Sequence, residues 1–240
     1  KTHRKSHLQR EGGKVVKYQR VEAGLKGAGL RLFEWQGQMR VAPVNASGKP
    51  GEAFAKAKDG DTIQIDAAGD YKGDLCSITK NNLTIRGVNG RAKIDGDGKT
   101  AGGKGIWNVA GNDTTIENIE LFNAKSVDQN GAGIRQEGKT VTIRSCSFHD
   151  NENGILAGDN PGSIITIESS EFAKNGFGDG FTHNLYINHV DQLVFRFNHS
   201  HDAKIGHLLK SRAKKNIVAY NRLTDEGGTA SYEIDLPNAG

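Results

Sequence analysis

One nine-residue pattern returns along this chain at a spacing of roughly two dozen residues, the sequence sign of a solenoid. It appears at residues 115–123 (TIENIELFN), 142–150 (TIRSCSFHD), 166–174 (TIESSEFAK), 194–202 (VFRFNHSHD) and, shortened, 217–223 (IVAYNRL). Each copy holds a period-2 strand, a polar kink and a second short apolar stretch. No copy can bury its inner face alone, so each must stack on the next at the strand spacing of about 4.8 Å. Earlier strands are expected at residues 62–66, 83–87 and 105–109. Asn198 and Asn221 fall on the same register at the kink, where stacked asparagines can satisfy backbone groups inside a tight turn, since asparagine tolerates left-handed backbone and bonds its own main chain. The expected fold is therefore all-β, a right-handed parallel β-helix.

Residues 50–60 (PGEAFAKAKDG) read as a short amphipathic helix that ends at Gly60 and caps the N-terminal end of the coils, covering exposed strand edges. Residues 1–45 are expected to form an arm or extension, with one strand near residues 30–35, and residues 46–240 the β-helix domain. The pattern still runs at residues 232–236, which leaves open whether coils continue past Gly240.

Composition agrees with many short strands and tight turns: the 240 residues include 32 Gly but only 4 Pro and 1 Met. No run of about 18 apolar residues appears, so no membrane contact is expected. The net charge of +4 suits a polyanionic partner. A recognised nucleic-acid motif and a regular basic stripe with interleaved aromatics are both lacking, so that partner is not expected to be nucleic acid. Cys76 and Cys146 fall several coils apart and read as core residues rather than a disulfide.

Stacking converts sequence spacing into geometry. Aligning residues 134–137, 155–158, 185–188, 209–212 and 232–235 as equivalent strands gives two outward rows by alternation. One is Arg135, Leu156, Tyr186, Lys210, Glu233; the next is Glu137, Gly158, Asn188, Arg212, Asp235. A one-residue slip would reverse every assignment in a strand. His183, His189, His199, His201 and His207 cluster in the same two coils.

Such a face suits β-elimination on a uronate polymer. That reaction needs donors to neutralise the C6 carboxylate, a base for the C5 proton and an acid for the leaving oxygen. Lys210 as base, Tyr186 as acid, and Arg212 with Asn184 or Asn188 on the carboxylate form a coherent set, with base and acid exchangeable. Arg135, His183, His189 and His207 are further substrate-binding candidates, although a satisfied structural role suits His183 and His207 as well. Equally plain alternatives are an aromatic ladder for Tyr186 and cross-coil pairing of Lys210 and Arg212 with Glu233 and Asp235. No cofactor is required. Calcium would find Glu137, Glu233 and Asp235 as candidate ligands, the HxH at residues 199–201 is a weak zinc signal, and residues 95–98 (DGDG) lack the other ligands of a calcium loop.

Residues 60–65 (GDTIQI), 69–73 (GDYKG) and 83–87 (LTIRG) resemble the opening of pectate-lyase-like β-helix proteins, with a resemblance spanning roughly residues 50–236. The resemblance implies that fold and chemistry on acidic polysaccharides by lyases, hydrolases or epimerases. Residues 180–186 (GFTHNLY) and 206–212 (GHLLKSR) more specifically resemble β-helix alginate lyases, implying a secreted or periplasmic, monomeric polysaccharide lyase with alginate as first substrate. A hydrolase would need two flanking carboxyl groups, for which Asp179, Asp202, Glu233 and Asp235 are available. A C5-epimerase or a non-catalytic glycan-binding β-helix are the other readings.

Overall fold

The computed structural model describes residues 48–237, together with the backbone of the strands Ser6–Glu11, Lys14–Gln19, Phe33–Glu34 and Arg40–Val44. The first residues of the proposed arm, the end of the chain after residue 237 and most of the strand expected at residues 30–35 lie outside the described residues. Ser6–Glu11 and Lys14–Gln19 form an antiparallel pair.

From Arg40–Val44 onward the chain is a parallel β-solenoid of about six turns. Three sheets run along it. The first contains Thr62–Asp66, Thr84–Val88, Thr114–Glu117, Val141–Arg144, Ile164–Glu168, Gln192–Arg196 and Lys215–Ala219. The second contains Ala92–Asp95, Ile119–Phe122, Ser147–His149, Glu171–Ala173, His199–His201 and Arg222–Thr224. The third contains Cys76–Ile78, Gly105–Val109, Ala132–Gln136, Asn153–Ala157, Leu185–Ile187, His207–Ser211 and Tyr232–Asp235.

Inward positions stack like on like. Ile63, Ile85, Ile116, Ile143, Ile167 and Phe195 form one fully buried column in the first sheet. In the second sheet Phe148 and Phe172 stack with ring centroids 4.9 Å apart. Every coil repeats the same inner apolar set, so the core is a continuous rod rather than a ball.

The corners show how the sequence bends. At the kink between the first and second sheets, the left-handed residues are Asn118, Ser145, Ser169, Phe197 and Tyr220, with φ between 51° and 58°. Asn198 and Asn221 stack and satisfy backbone groups at the turn, as expected, but each follows the left-handed residue, and the backbone groups they bond belong to the neighbouring coil. Asn221 Oδ1 accepts the Asn198 N–H at 2.9 Å, Asn198 Oδ1 accepts the Ser170 N–H at 2.9 Å, and Ser170 Oγ accepts the Cys146 N–H at 3.1 Å. The turn thus leaves an N–H without a strand partner, and a side chain one coil along fills the gap.

The helix spans Pro50–Lys56, with Pro50 in its first turn, and ends at Lys56 rather than at Gly60. Ala57 is already extended, and Gly60, at φ 85°, shapes the turn into the first coil. Phe54 packs edge-on against Trp107 at 5.4 Å. Cys76 and Cys146 are both free thiols.

Candidate functional site

The outward faces of the first and third sheets differ in how their charges are satisfied. On the first sheet Arg86, Glu117, Arg144, Glu168 and Arg196 share one row of alternating sign. Arg86 lies 2.7 Å from Glu117, and Arg144 lies 3.0 Å from Glu168. That face compensates itself. On the third sheet the Nε atoms of Arg135 and Arg212 are buried and have no hydrogen-bond partner among the described residues.

The third-sheet row runs Ser77, Asn108, Arg135, Leu156, Tyr186, Lys210, Asp235. The expected register holds through Lys210, then the last strand departs from it. Ile234 rather than Tyr232 pairs with Leu209, and Asp235 rather than Glu233 pairs with Lys210. A shift of two keeps each side chain on its face. It places an apolar residue on Leu209 and a carboxylate beside the ammonium. Glu233 is exposed and does not share the row of Lys210.

Around Lys210 the geometry is tight. Its Nζ lies 5.5 Å from the Tyr186 ring centroid and 3.4 Å from Asp235 Oδ2. The same Oδ2 lies 3.1 Å from His207 Nε2. His207 stacks on His183 at 4.6 Å, and His183 meets the edge of Tyr186 at 5.7 Å. The shared register expected for the two histidines is therefore present. The cross-coil pairing named above for Lys210 is present with Asp235, which stands in the row of Lys210 rather than in the expected row of Arg212; the Leu209–Ile234 pairing is the signal that places it.

His183 Nδ1 accepts the His207 backbone N–H at 3.0 Å, which fixes the neutral ring with its proton on Nε2. Burial, then His207 and Lys210, lower the His183 pKa to about 3. Burial also lowers the pKa of His207, against the opposing pull of Asp235. His207 Nδ1 is buried without a hydrogen-bond partner among the described residues.

Other candidates scatter. Asn184 is fully buried. Its Oδ1 accepts from Asn175 N and Nδ2 at 3.2 and 3.0 Å, and its Nδ2 donates to Ser200 Oγ and His201 O at 3.0 and 2.9 Å. With every amide atom engaged inside the core, Asn184 has none left for a sugar. Asn188 lies half-buried near the end of the strand, with Oδ1 accepting the His189 N–H. His189 turns away toward Asp159, 3.6 Å off. His199 and His201 stand on the second sheet, so the five histidines form no single cluster. Arg135 lies 3.6 Å from Glu137, and its Nη2 is 3.6 Å from the position a Cβ on Gly158 would take.

The suggested calcium ligands do not converge. Glu137 is held by Lys104 at 2.7 Å, a hydrogen bond that lowers its pKa, and it lies four coils from Asp235. Asp97 of the DGDG segment pairs with Lys72 and Lys99 at 3.0 and 3.3 Å. The hydrolase carboxylates are dispersed too: Asp179 bonds Thr182 in a loop, and Asp202 bonds His201 beside the second sheet.

Fold and site together define a parallel β-solenoid with one polar, cation-bearing face. Compared with family models, curated proteins and solved structures, the chain finds no match in any of the three.

Proposed function

We propose that the third-sheet face is the active site of a polysaccharide lyase that cleaves a uronate-containing polymer by β-elimination, with alginate as the first substrate. The observation that carries this reading is Arg212, whose buried Nε–H has no acceptor among the described residues, on the coil of Lys210 and one coil from Tyr186; Arg135, whose Nε has Glu137 only at 3.6 Å, lies two coils before Tyr186. An unsatisfied guanidinium fork matches a carboxylate bidentately. Three strand spacings separate the two arginines' coils, about 14 Å, which suits a polymer carrying carboxylates at intervals.

Lys210 Nζ lies 3.4 Å from Asp235 Oδ2, a partner suited to a proton donor, so the acid and base roles are exchanged relative to the first sequence-based assignment. Tyr186 Oη takes the C5 proton; the electron pair forms the C4–C5 double bond as the C4–O bond breaks. Lys210 gives its proton to the leaving oxygen, and the proton held by Tyr186 then returns to Lys210. Arg212 neutralises the C6 carboxylate and stabilises the charge that develops there. Asp235 and the stacked, neutral His183 and His207 position Lys210 and Tyr186. Membership of the pectate-lyase-like superfamily, a monomeric state and a secreted or periplasmic location belong to the same proposal.

Mass spectrometry of the oligosaccharides released from alginate tests it. A lyase gives products lighter by one water than hydrolysis products, with the loss on the non-reducing sugar. Products of full hydrolytic mass, or an unchanged polymer, would overturn the proposal.

A further inference from the structure

The second sheet carries a separate constellation. His199 and His201 sit two apart on one strand, so both rings project from the same face, with centroids 4.2 Å apart and planes within 18°. Glu171 is the lateral neighbour of His199 on the adjacent strand, and its Oε1 lies 3.4 Å from His201 Nε2. One ligand atom from each residue lies within 4.8 Å of the others. A tetrahedral zinc with ligands at about 2.0–2.1 Å holds them roughly 3.4 Å apart, a distance small side-chain rotations reach from here.

We propose that Glu171, His199 and His201 form a three-ligand site for a divalent transition ion of the zinc type, with a fourth position open to water. Two imidazoles and one carboxylate favour zinc over calcium or magnesium, which prefer oxygen. An independent observation points the same way. Asp202 Oδ2 lies 2.8 Å from His201 Nδ1, and its Oδ1 accepts the Gly227 N–H at 2.9 Å. That carboxylate fixes the ring with Nδ1 as donor and leaves the Nε2 lone pair facing Glu171, the outer-shell arrangement that orients metal-bound histidines.

The chain contains its own control. Two coils earlier, His149 repeats the arrangement, with Nδ1 2.9 Å from Asp150 and Nε2 3.3 Å from Glu120. There the residue two places before the histidine is Ser147, so the second imidazole is missing. A merely structural His–carboxylate pair predicts that the two places behave alike; a metal site predicts that only the second binds.

The test is calorimetric titration of zinc into the chelator-stripped full chain. The expected result is one equivalent bound at these residues. Glu171→Gln, His199→Gln and His201→Gln each weaken it at least tenfold, Asp202→Asn weakens it roughly 10–100-fold, and His149→Gln leaves it unchanged. Cobalt(II) should show tetrahedral d–d absorption that His199→Gln abolishes. Glu171 is half exposed, so Glu171→Gln keeps the fold, as circular dichroism would verify, and its loss of binding carries the test if a histidine variant misfolds. No zinc binding, or binding as tight in Glu171→Gln and His201→Gln as in the parent protein, would overturn the proposal; in the second case other residues hold the ion.

Discussion

Replacing Asn184 by alanine separates a substrate contact from a structural one. A ladder of side-chain amides lines the corner between the second and third sheets: Asn151 Oδ1 accepts the Ala124 N–H at 2.9 Å, and Asn175 Oδ1 accepts the Asn151 N–H at 3.1 Å. The next coil has Ala203 at this corner, which offers no side-chain oxygen, and Asn184 reaches in from the third sheet to receive the Asn175 N–H. Asn184→Ala orphans that buried N–H and removes the donors to Ser200 and His201. An orphaned buried group costs about 1–3 kcal/mol, and each of the two lost hydrogen bonds about 0.5–1.5 kcal/mol, so the total is roughly 2–6 kcal/mol. For a chain of this size that is a fall in Tm of roughly 4–24 °C, read by circular dichroism. Asn188→Ala, on the outward side, should move Tm by only about 1–3 °C. An Asn184→Ala protein that melts with the parent but binds polysaccharide weakly would refute the reasoning and return Asn184 to the substrate site.

Further outcomes follow from the same geometry. Tyr186→Phe and Lys210→Met should each lower the lyase rate by about 10²–10⁴-fold, as expected for loss of a general acid or base, with the fold retained by circular dichroism. Arg212→Met and Arg135→Met should raise KM and flatten its dependence on salt, measured by initial rates across ionic strengths. Phe172→Ala should cost about 3–5 kcal/mol in denaturant unfolding, because the stack with Phe148 loses its centre. His183 has a folded pKa of about 3. The unfolded chain binds its proton near pH 6.5 and the folded one does not, so stability is full above that pH. It falls by about 1.4 kcal/mol per unit as pH drops toward 3. His183→Leu should flatten that acid limb in melts between pH 4 and 7, and an unchanged slope would show the ring to be accessible.

The parallel β-solenoid was legible because every coil repeats the same inward apolar set, and that periodicity decides which face is buried. Strands such as Thr62–Asp66 and Gly105–Val109 fall where the alternation put them. The outward row Arg135, Leu156, Tyr186, Lys210 was also legible, since two inward residues per strand fix its register. Registers that rest on one apolar residue were not. Tyr232 looked inward-facing, but Ile234 has the better claim to Leu209, and the two-residue shift decides which carboxylate meets Lys210. Asn184 was misread because its role depends on Ala203, some twenty residues away in sequence and adjacent only after coiling. The histidines were grouped by sequence proximity, whereas each corner of a coil sends the next strand to a different sheet. The asparagine ladder at Asn198 and Asn221 was legible from its shared register, but strand alternation does not fix which corner residue turns left-handed, and that residue lies one place earlier.

The most direct measurement of the central claim is ultraviolet absorbance while the protein is mixed in turn with alginate, glucuronan, pectate and glycosaminoglycans, with and without chelator. β-Elimination creates an unsaturated uronate that absorbs, whereas hydrolysis, epimerisation and simple binding do not. The account predicts a steady rise with alginate that Tyr186→Phe abolishes. A flat trace with every polymer would contradict it.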